Sequence, residues 1–330
     1  MRPGKLPADW LKRHAFSHLG LRRHDVLVHA GIGEDCAVIA FGDEVCVLTS
    51  DPITGAAQRI GWYAVHVGCN DLAACGARPV GVLVTLLGSE RETEDSLAAI
   101  MADVHAAAVE LGIEVLGGHT EVTPDLPQPI VVVTALGRAP RSQYVTSAGA
   151  RPGDALLLTK SAGLEGTAIL AADLATRLAG VVAADVLARA RSFIARLSVV
   201  PEGLAAAAAG AHALHDATEG GVVGAVAELA EASAVGVELW AEAVPVADET
   251  RSLCAALGVD PLRLISSGAL LIAAEDGAAL VAHLASQGVA ATVVGRVLRA
   301  EAGRWLVTPA GRAPLAAPER DELWRVLELA

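Results

Sequence analysis

Short β-branched runs alternate with longer stretches of helical periodicity between residues 26 and 138. Short apolar runs predict strands, whereas apolar residues that repeat with the period of a helical turn predict helices. The first half is therefore predicted to be one α/β unit. Its strands are expected over residues 45–50, 80–87, 113–117 and 130–137 and its helices over residues 61–75 and 92–111.

The alternation resumes at residue 155, after a segment rich in Arg, Pro, Ser and Gly (residues 138–154) that interrupts both periods. That segment is either a domain boundary or a loop inside one domain. We place the join near Ala150, which gives an N-terminal arm (1–24), an N-terminal domain (25–150) and a C-terminal domain (151–330). In the second half we predict strands over 155–160, 211–216, 235–241, 268–274 and 291–298, helices over 164–178, 183–197, 202–209, 222–233, 248–257 and 276–287, and a last helix from Pro318.

Length and composition fit a globular protein with two cores. At about 150 residues per domain, 330 residues suffice for two domains, and 53% of them are hydrophobic. Charged residues and glycines interrupt every apolar run before it is long enough to span a membrane, and the start MRPGKLPADWLKRHAF lacks the apolar segment of a secretory signal. A net charge of −13 disfavours nucleic acid and anionic membranes as partners. We expect a cytoplasmic protein.

Several common motifs do not occur in the sequence. The five cysteines form no CxxC pair and no Cys/His ligand spacing, so buried thiols are expected rather than disulfides or a zinc site. No Walker A loop is present, and the Gly-Ile-Gly at residues 31–33 lacks the third glycine of a dinucleotide-binding loop. Nucleotide binding by these motifs is therefore not predicted.

Four aspartates lie beside glycines at predicted strand ends or loops: Asp35, Asp51, Asp71 and Asp216. Mg²⁺ prefers oxygen ligands and is commonly held by a few carboxylates together with substrate phosphates. Without a cation, neighbouring carboxylates repel one another, which raises their pKa values. Each aspartate taken singly has an alternative role as a turn residue or helix cap. The four together predict a magnesium site, with Asp51 and Asp216 as catalytic groups.

Two glycine-containing segments are candidates for binding phosphate through backbone amides, because glycine allows close approach and a helix N-terminus favours negative charge. Ordinary loop chemistry is the alternative for both. Lys160, at the end of a predicted strand, either meets a phosphate or is a surface lysine, and the histidines other than His119 are expected to be structural. The segments comprise Gly117, Gly118, His119 and Thr120, and Thr218, Gly220 and Gly221.

Six segments in order resemble the superfamily of aminoimidazole ribonucleotide synthetase, selenophosphate synthetase, thiamine monophosphate kinase and the hydrogenase-maturation carbamoyl dehydratase (HypE). They extend over nearly the whole chain, and TKSAGLEGTAIL, SVVPEG, HDATEGG and LISSG are most similar to the HypE branch. The six are GIGEDCAVI, TSDPI, AVHVGCNDLAACGARPVGVLVTLL, LGGHTEVT, RPGDALLLTKSAGLEGTAILA and HDATEGGVVGAVAELAEASAVGVEL.

The resemblance implies a two-domain PurM-like fold. Its N-terminal mixed α/β domain dimerises through its sheet with ATP at the interface, and a C-terminal α+β domain closes the site. Members use Mg-ATP to phosphorylate an oxygen, often of an amide or related carbonyl group, before phosphate is lost. By matching position, Asp35, Asp51, Asp71 and Asp216 are similar to the metal and phosphate site, and Asn70, Gly118, Thr120, Thr218 and Gly220 to nucleotide contacts.

One feature departs from the HypE branch, whose enzyme acts on a thiocarboxamide carried by a cysteine at its C-terminus. No cysteine follows Cys254 in this sequence, so we expect a related ATP-dependent activation of a small or carried amide, carbamoyl or carboxylate acceptor. Two alternatives remain open. One is a nucleotide-binding partner of a maturation complex without turnover, and the other is a small-molecule kinase of the thiamine monophosphate kinase type. A homodimer is expected in each case.

Overall fold

Two mixed β-sheets divide the chain, the first within residues 26–140 and the second within residues 155–314. The computed structural model describes residue 6, residues 8–53 and residues 58–328. Part of the predicted N-terminal arm, residues 1–5 and 7, lies outside this range. The interval between the sheets contains the join predicted near Ala150, which stays a prediction. Two mixed sheets with packed helices confirm the predicted α/β and α+β class.

The strands are β1 (Val26–Val28), β2 (Ala37–Phe41), β3 (Glu44–Ile53), β4 (Arg78–Ser89), β5 (Glu114–Thr123), β6 (Ile130–Pro140), β7 (Ala155–Thr159), β8 (Ala213–Asp216), β9 (Gly236–Trp240), β10 (Leu270–Ala274), β11 (Ala291–Leu298), β12 (Arg304–Thr308) and β13 (Gly311–Pro314). The α-helices are α1 (Ala8–Trp10), α2 (Ile60–Ala74), α3 (Glu94–Leu111), α4 (Leu164–Asp173), α5 (Ala175–Leu178), α6 (Ala184–Arg191), α7 (Val200–Ala208), α8 (Gly221–Ala232), α9 (Asp248–Leu257), α10 (Gly277–Ser286) and α11 (Glu322–Leu327). In the part of the chain that the structure describes, no helix is long and apolar enough to cross a bilayer.

The first sheet has the order β1-β2-β3-β6-β4-β5, in which only β4 and β5 pair in parallel. Side chains alternate along β6, where Val131, Val133 and Ala135 are fully buried and the residues between them are partly exposed. Because the side chains alternate with a period of two residues, one face of the sheet packs against the helices α2 and α3. The second sheet has the order β13-β12-β9-β11-β7-β10-β8, with β9 and β12 in parallel.

Helix α2 is the central element between the two domains, and all its residues are buried. It contacts β3, β6 and α3 of the first domain and α7 and β8 of the second. A side chain at Gly203 of α7 would place its Cβ 2.4 Å from the Ala73 carbonyl oxygen, so glycine allows the two helices to approach closely. A helix buried all round therefore carries its polar residues, including Asp71, into the domain junction.

The structure corrects several predicted elements. The predicted helices over 164–178 and 183–197 are interrupted at Leu174 and by a 3₁₀ helix at Ser192–Arg196. Strands β1, β2, β12 and β13 were not predicted; all are short and lie at sheet edges or next to them. The last helix begins at Glu322 rather than at Pro318, because the Asp321 carboxylate accepts a hydrogen bond from the Leu323 amide at 2.7 Å and caps the helix.

Candidate functional site

Two of the predicted acids meet at Thr49. Asp51 lies near the end of strand β3, and its Oδ2 is 3.0 Å from the Thr49 hydroxyl, while Asp71 Oδ2 is 2.6 Å from the same hydroxyl. A hydroxyl carries one proton and can donate it to only one carboxylate. Both short contacts are therefore hydrogen bonds only when one of the carboxyl groups is itself protonated.

Asp71 is the carboxyl that holds this proton most readily. Burial raises its pKa well above the ordinary value, and the negative charges of Asp216, Asp51 and Asp35 raise it further. Asp216, buried at the end of β8, belongs to the second domain, so the acids come from both sides of the junction. Asp71 lies inside α2, within the helix predicted over residues 61–75, and not at a strand end or loop as the aspartates were described as a group. The structure thus gathers acids from three elements into a region of high negative charge.

The carboxylate of Asp35, which was predicted to bind the metal, contacts the imidazole of His215. Its Oδ1 and Oδ2 lie 2.8 and 2.9 Å from Nδ1 of His215, and Nε2 of His215 lies 3.0 Å from Oε2 of Glu228. Burial alone would lower the pKa of His215, but the two carboxylates raise it well above the ordinary value. Asp35 is therefore held in a buried ion pair that joins the loop before β2 to α8.

The environment of Glu34 extends this charged region. Burial and the charge of the neighbouring Asp35 raise the pKa of Glu34 to about 7, while His215 opposes the increase. The Ser147 hydroxyl lies 3.1 Å from Nδ1 of His215 and 3.4 Å from Asp35 Oδ2. The junction thus contains a second group of buried ionisable residues beside the aspartates at Thr49.

Asn70 and Lys160, which were predicted to contact the nucleotide and its phosphates, both bind residues 196–202 of the second domain. Asn70 is fully buried; its Nδ2 donates to the Leu197 carbonyl and its Oδ1 accepts from the Val199 amide, both at 2.8 Å. Lys160 Nζ forms an ion pair with Glu202 at 2.7 Å and donates to the carbonyls of residues 196 and 198 at 3.0 and 2.6 Å. Three acceptors use all three N–H donors of the ammonium group. The polar atoms of both side chains thus have partners within the protein, and their predicted contacts with nucleotide and phosphate stay predictions.

The predicted glycine turn at Gly117–Thr120 is wrong, because these residues continue the strand β5. Gly118 has φ 145°, and a Cβ there would lie 1.8 Å from the Val84 carbonyl oxygen, so the glycine serves the pairing of β5 with β4. Gly118 aligns with Asp51 across two intervening strands. Three strand spacings separate them by about 14 Å. His119 is exposed, and its Nε2 lies 3.1 Å from Glu121 Oε2.

The second glycine-containing segment, residues 218–221, closely follows Asp216 in the chain and so lies next to one of the buried aspartates. Gly220 and Gly221 have φ values of 87° and 63°, and Gly221 begins α8. A Cβ at Gly221 would lie 2.7 Å from two carbonyl oxygens of residues 262 and 264. The Gly220 amide donates to Asp321 Oδ2 at 2.6 Å, so a carboxylate from the chain's last segment occupies the anion position at this helix N-terminus. Thr218 lies in the same turn, and its carbonyl accepts from the Gly221 amide at 3.0 Å.

The sequence did not indicate Thr49, Glu165 or Asp321 as residues of this region, whereas His215, expected to be structural, lies in a buried ion pair. Thr49 had a usable signal, because residues two apart on a strand share a face and Thr49 precedes Asp51 by two. Among the described residues, no group of three or more His, Cys, Asp or Glu side chains is arranged to hold a metal ion. A cation bound here would need further ligands from a phosphate and water.

The chain is similar to known proteins over most of its length. Residues 33–139 match the N-terminal domain of the AIR synthase related protein family, and residues 151–306 match its C-terminal domain. A putative hydrogenase expression/formation protein of Methanocaldococcus jannaschii is 28% identical over 312 residues, which is 91% of this chain and 91% of that protein. The carbamoyl dehydratase HypE of Rhodobacter capsulatus is 32% identical over 297 residues, which is 88% of this chain and 84% of that protein.

A solved structure gives the same result for the fold. The structure of the hydrogenase maturation protein HypE in complex with ATP has a TM-score of 0.71 and 26% identity to this chain, and the match covers 97% of this chain and 100% of that one. These findings confirm the resemblance first seen in the six sequence segments and the PurM-like fold. The chain belongs to the AIR synthase related family, and within that family it is similar to the carbamoyl dehydratase HypE.

Proposed function

We propose that this protein is an ATP-dependent enzyme that transfers a phosphoryl group to an amide, carbamoyl or carboxylate oxygen of a small or carried acceptor. The observation that carries the proposal is the group of acids from both domains, Asp51, Asp71 and Asp216, beside the glycine turn that begins α8. Kinship with HypE supports it, since a HypE structure contains ATP and several relatives are named carbamoyl dehydratase.

The residues at the junction fit Mg²⁺. All the donors are oxygen atoms. Burial raises the pKa of Asp71 and the neighbouring carboxylates raise it further, and a divalent cation would offset both effects by favouring the charged form. Asp51, Asp71 and Asp216 would hold the ion only together with oxygen atoms of a nucleotide phosphate and of water, since these side chains alone do not form a complete ligand set. Bound Mg²⁺ supplies positive charge that offsets the charge developing on the transferred phosphoryl group.

The chain's own groups would orient the reactants. Thr49 holds the carboxylates of Asp51 and Asp71 in fixed positions. The amides at the start of α8, near Gly220 and Gly221, would bind phosphate oxygens once Asp321 withdraws from this position. The buried pair of Asp35 and His215 would keep the loop before β2 closed on α8. These roles concern binding and orientation, which account for most of the catalysis in phosphoryl transfer.

A homodimer through the first sheet is part of this proposal. Its outer face carries Val80, Leu83 and Leu116 on β4 and β5, and each is 41% to 46% exposed. Exposed apolar side chains grouped in this way favour a protein contact. A second copy on this face would bring its own strand β5, with His119 and Thr120, towards the nucleotide. Leu83→Asp should convert the dimer to a monomer in sedimentation experiments, and a wild-type monomer would contradict this arrangement.

Product analysis tests the proposed activity. The purified chain is incubated with Mg-ATP and a panel of small amide, carbamoyl and carboxylate compounds, and the products are identified by phosphorus NMR. Acceptor-dependent formation of ADP, with free phosphate and a dehydrated product or with an acyl phosphate, is the expected result. A stable phosphate ester would favour a kinase of the thiamine monophosphate kinase type. Binding of ATP without turnover of any acceptor would favour a nucleotide-binding partner in a maturation complex.

A further inference from the structure

The C-terminal segment of the chain (residues 318–328) lies against the glycine turn that begins α8. The Gly220 amide donates a hydrogen bond to Asp321 Oδ2 at 2.6 Å. Three residues further along, the indole Nε1 of Trp324 donates to Glu219 Oε1 at 3.0 Å. Two side chains of the C-terminal segment therefore bind adjacent residues of the turn, one through the main chain and one through a side chain.

Asp321 occupies the position that a phosphate oxygen would take at this helix N-terminus. The first amides of an α-helix have no partner within the helix and favour negative charge, and α8 is 12 residues long. The Asp321 carboxylate is 2% exposed, and its other oxygen caps α11 through the Leu323 amide at 2.7 Å. Pro318 adds to the cover, because a Cβ at Gly220 would lie 3.4 Å from its Cδ. A phosphate at the Gly220 amide and the docked Asp321 therefore exclude each other.

Few apolar contacts hold the C-terminal segment in this position. Its helix α11 has six residues, of which Leu323 and Val326 are buried. These two side chains pack in a cluster with Leu178 and Leu253, outside the cores of the two sheets. Chain ends with few buried side chains open locally at lower free energy than sheet cores. The segment can therefore detach while both domains stay folded.

Like charges oppose the docking of Asp321. Burial raises the pKa of Asp321 to about 6 and the charge of Glu219 adds to the increase, while backbone amides, including that of Gly220, oppose it. Glu165 is also buried, and the charges of Asp321 and Glu219 help to raise its pKa. Hydrogen bonds and packing thus hold the segment against repulsion among three carboxyl groups. A balance of this kind is one that a competing ligand can shift.

We propose that the C-terminal segment is autoinhibitory: Asp321 closes the phosphate position at the start of α8, and ATP must displace the segment in order to bind. The inference rests on the proposed function, because that function assigns the glycine turn to a nucleotide phosphate. The protein then has a closed form, in which the Gly220 amide bonds to Asp321, and an open form that binds ATP. The apparent affinity for ATP is the intrinsic affinity reduced by the fraction of open protein. Weakening the contacts of the segment should therefore tighten ATP binding.

Calorimetric titration of the full chain with Mg-ATP tests this competition. Asp321→Asn keeps the size of the side chain and its ability to cap α11 but removes its charge, so its hold on the Gly220 amide weakens. The dissociation constant for ATP should fall about threefold to tenfold, the worth of one hydrogen bond. Glu319→Gln is the matched control, since Glu319 is an exposed acid of the same segment and loses the same charge; it should bind ATP like the wild type.

Two further measurements keep the test independent of Asp321. Trp324→Phe retains an aromatic ring but removes the N–H that binds Glu219, and it should also tighten ATP binding. In the wild type, hydrogen exchange of the amides of residues 322–327 should become faster when Mg-ATP saturates the protein, because the segment is then detached.

The inference is overturned if Asp321→Asn and Glu319→Gln bind ATP equally well, or if saturating Mg-ATP leaves exchange in residues 322–327 unchanged or slower. Asp321 would then be a helix cap without a regulatory role. Tighter ATP binding by Asp321→Asn in a protein that turns over no acceptor would retain the autoinhibitory segment and reject the proposed activity. Turnover of an acceptor with equal ATP affinities in all variants would do the reverse.

Discussion

Replacing Glu165 by glutamine should make the stability of the protein less sensitive to pH. Burial raises the pKa of Glu165 from 4.5 to about 7, with Asp321 and Glu219 adding to the effect and Ser267 opposing it. Because the folded-state pKa is higher than the unfolded one, the stabilisation is fully present below pH 4.5 and is lost as the pH rises through about 7. At about 1.4 kcal/mol per pH unit, this loss is roughly 3 kcal/mol.

Glutamine has nearly the same shape but does not ionise, so Glu165→Gln should not lose this free energy. Its amide also lacks a partner at the unsatisfied oxygen, which costs about 1–3 kcal/mol, but that cost is the same at every pH. The prediction therefore concerns how the stability of the variant relative to the wild type changes between two pH values. The free energy of unfolding of the variant relative to wild type should increase by roughly 3 kcal/mol between pH 4.5 and pH 8.5.

Urea unfolding at the two pH values measures this change directly. Glu94→Gln is the control, since Glu94 is an exposed glutamate that also lies in the first turn of a helix; its difference from wild type should stay constant. If the difference in unfolding free energy between Glu165→Gln and the wild type is the same at both pH values, the reasoning is refuted, because Glu165 would then not be a buried acid in solution.

Three further substitutions test other parts of the site. Asp71→Asn should abolish Mg-dependent ADP formation without lowering the free energy of unfolding, because it replaces a buried acid with a neutral group; retained turnover would remove Asp71 from the metal site. His215→Asn should lower the free energy of unfolding by roughly 3–5 kcal/mol in urea experiments, because two carboxylates lose their buried partner, and the exposed control His105→Asn should not. Asn70→Ala should cost about 1–3 kcal/mol of stability while the ATP affinity measured by calorimetry stays close to wild type; a large loss of affinity would restore the predicted nucleotide contact.

The sequence allowed good predictions where the signal is local. Strands such as β6 and β7 and the helix α8 follow from short patterns of apolar residues. The order of the aspartate segments, from Asp35 to Asp216, also indicated the family before any fold was known.

Residues whose partners are distant in the chain were placed less well. Asn70 bonds to a carbonyl 127 residues away, and Gly118 is required by the approach of the neighbouring strand β4. A side chain's type shows that it needs a partner, but the tertiary fold selects which one. The same limit explains Asp35, whose carboxylate pairs with His215 across the domain junction.

The central claim is that Mg²⁺ and ATP bind together at Asp51, Asp71 and Asp216. Calorimetric titration of the wild-type chain with ATP, with and without Mg²⁺, tests it most directly when Asp51→Asn is titrated in parallel. We predict that Mg²⁺ strengthens ATP binding to the wild type and that Asp51→Asn, while remaining folded, loses most of this dependence. Absence of ATP binding, or equal dependence on Mg²⁺ in both proteins, would contradict the claim.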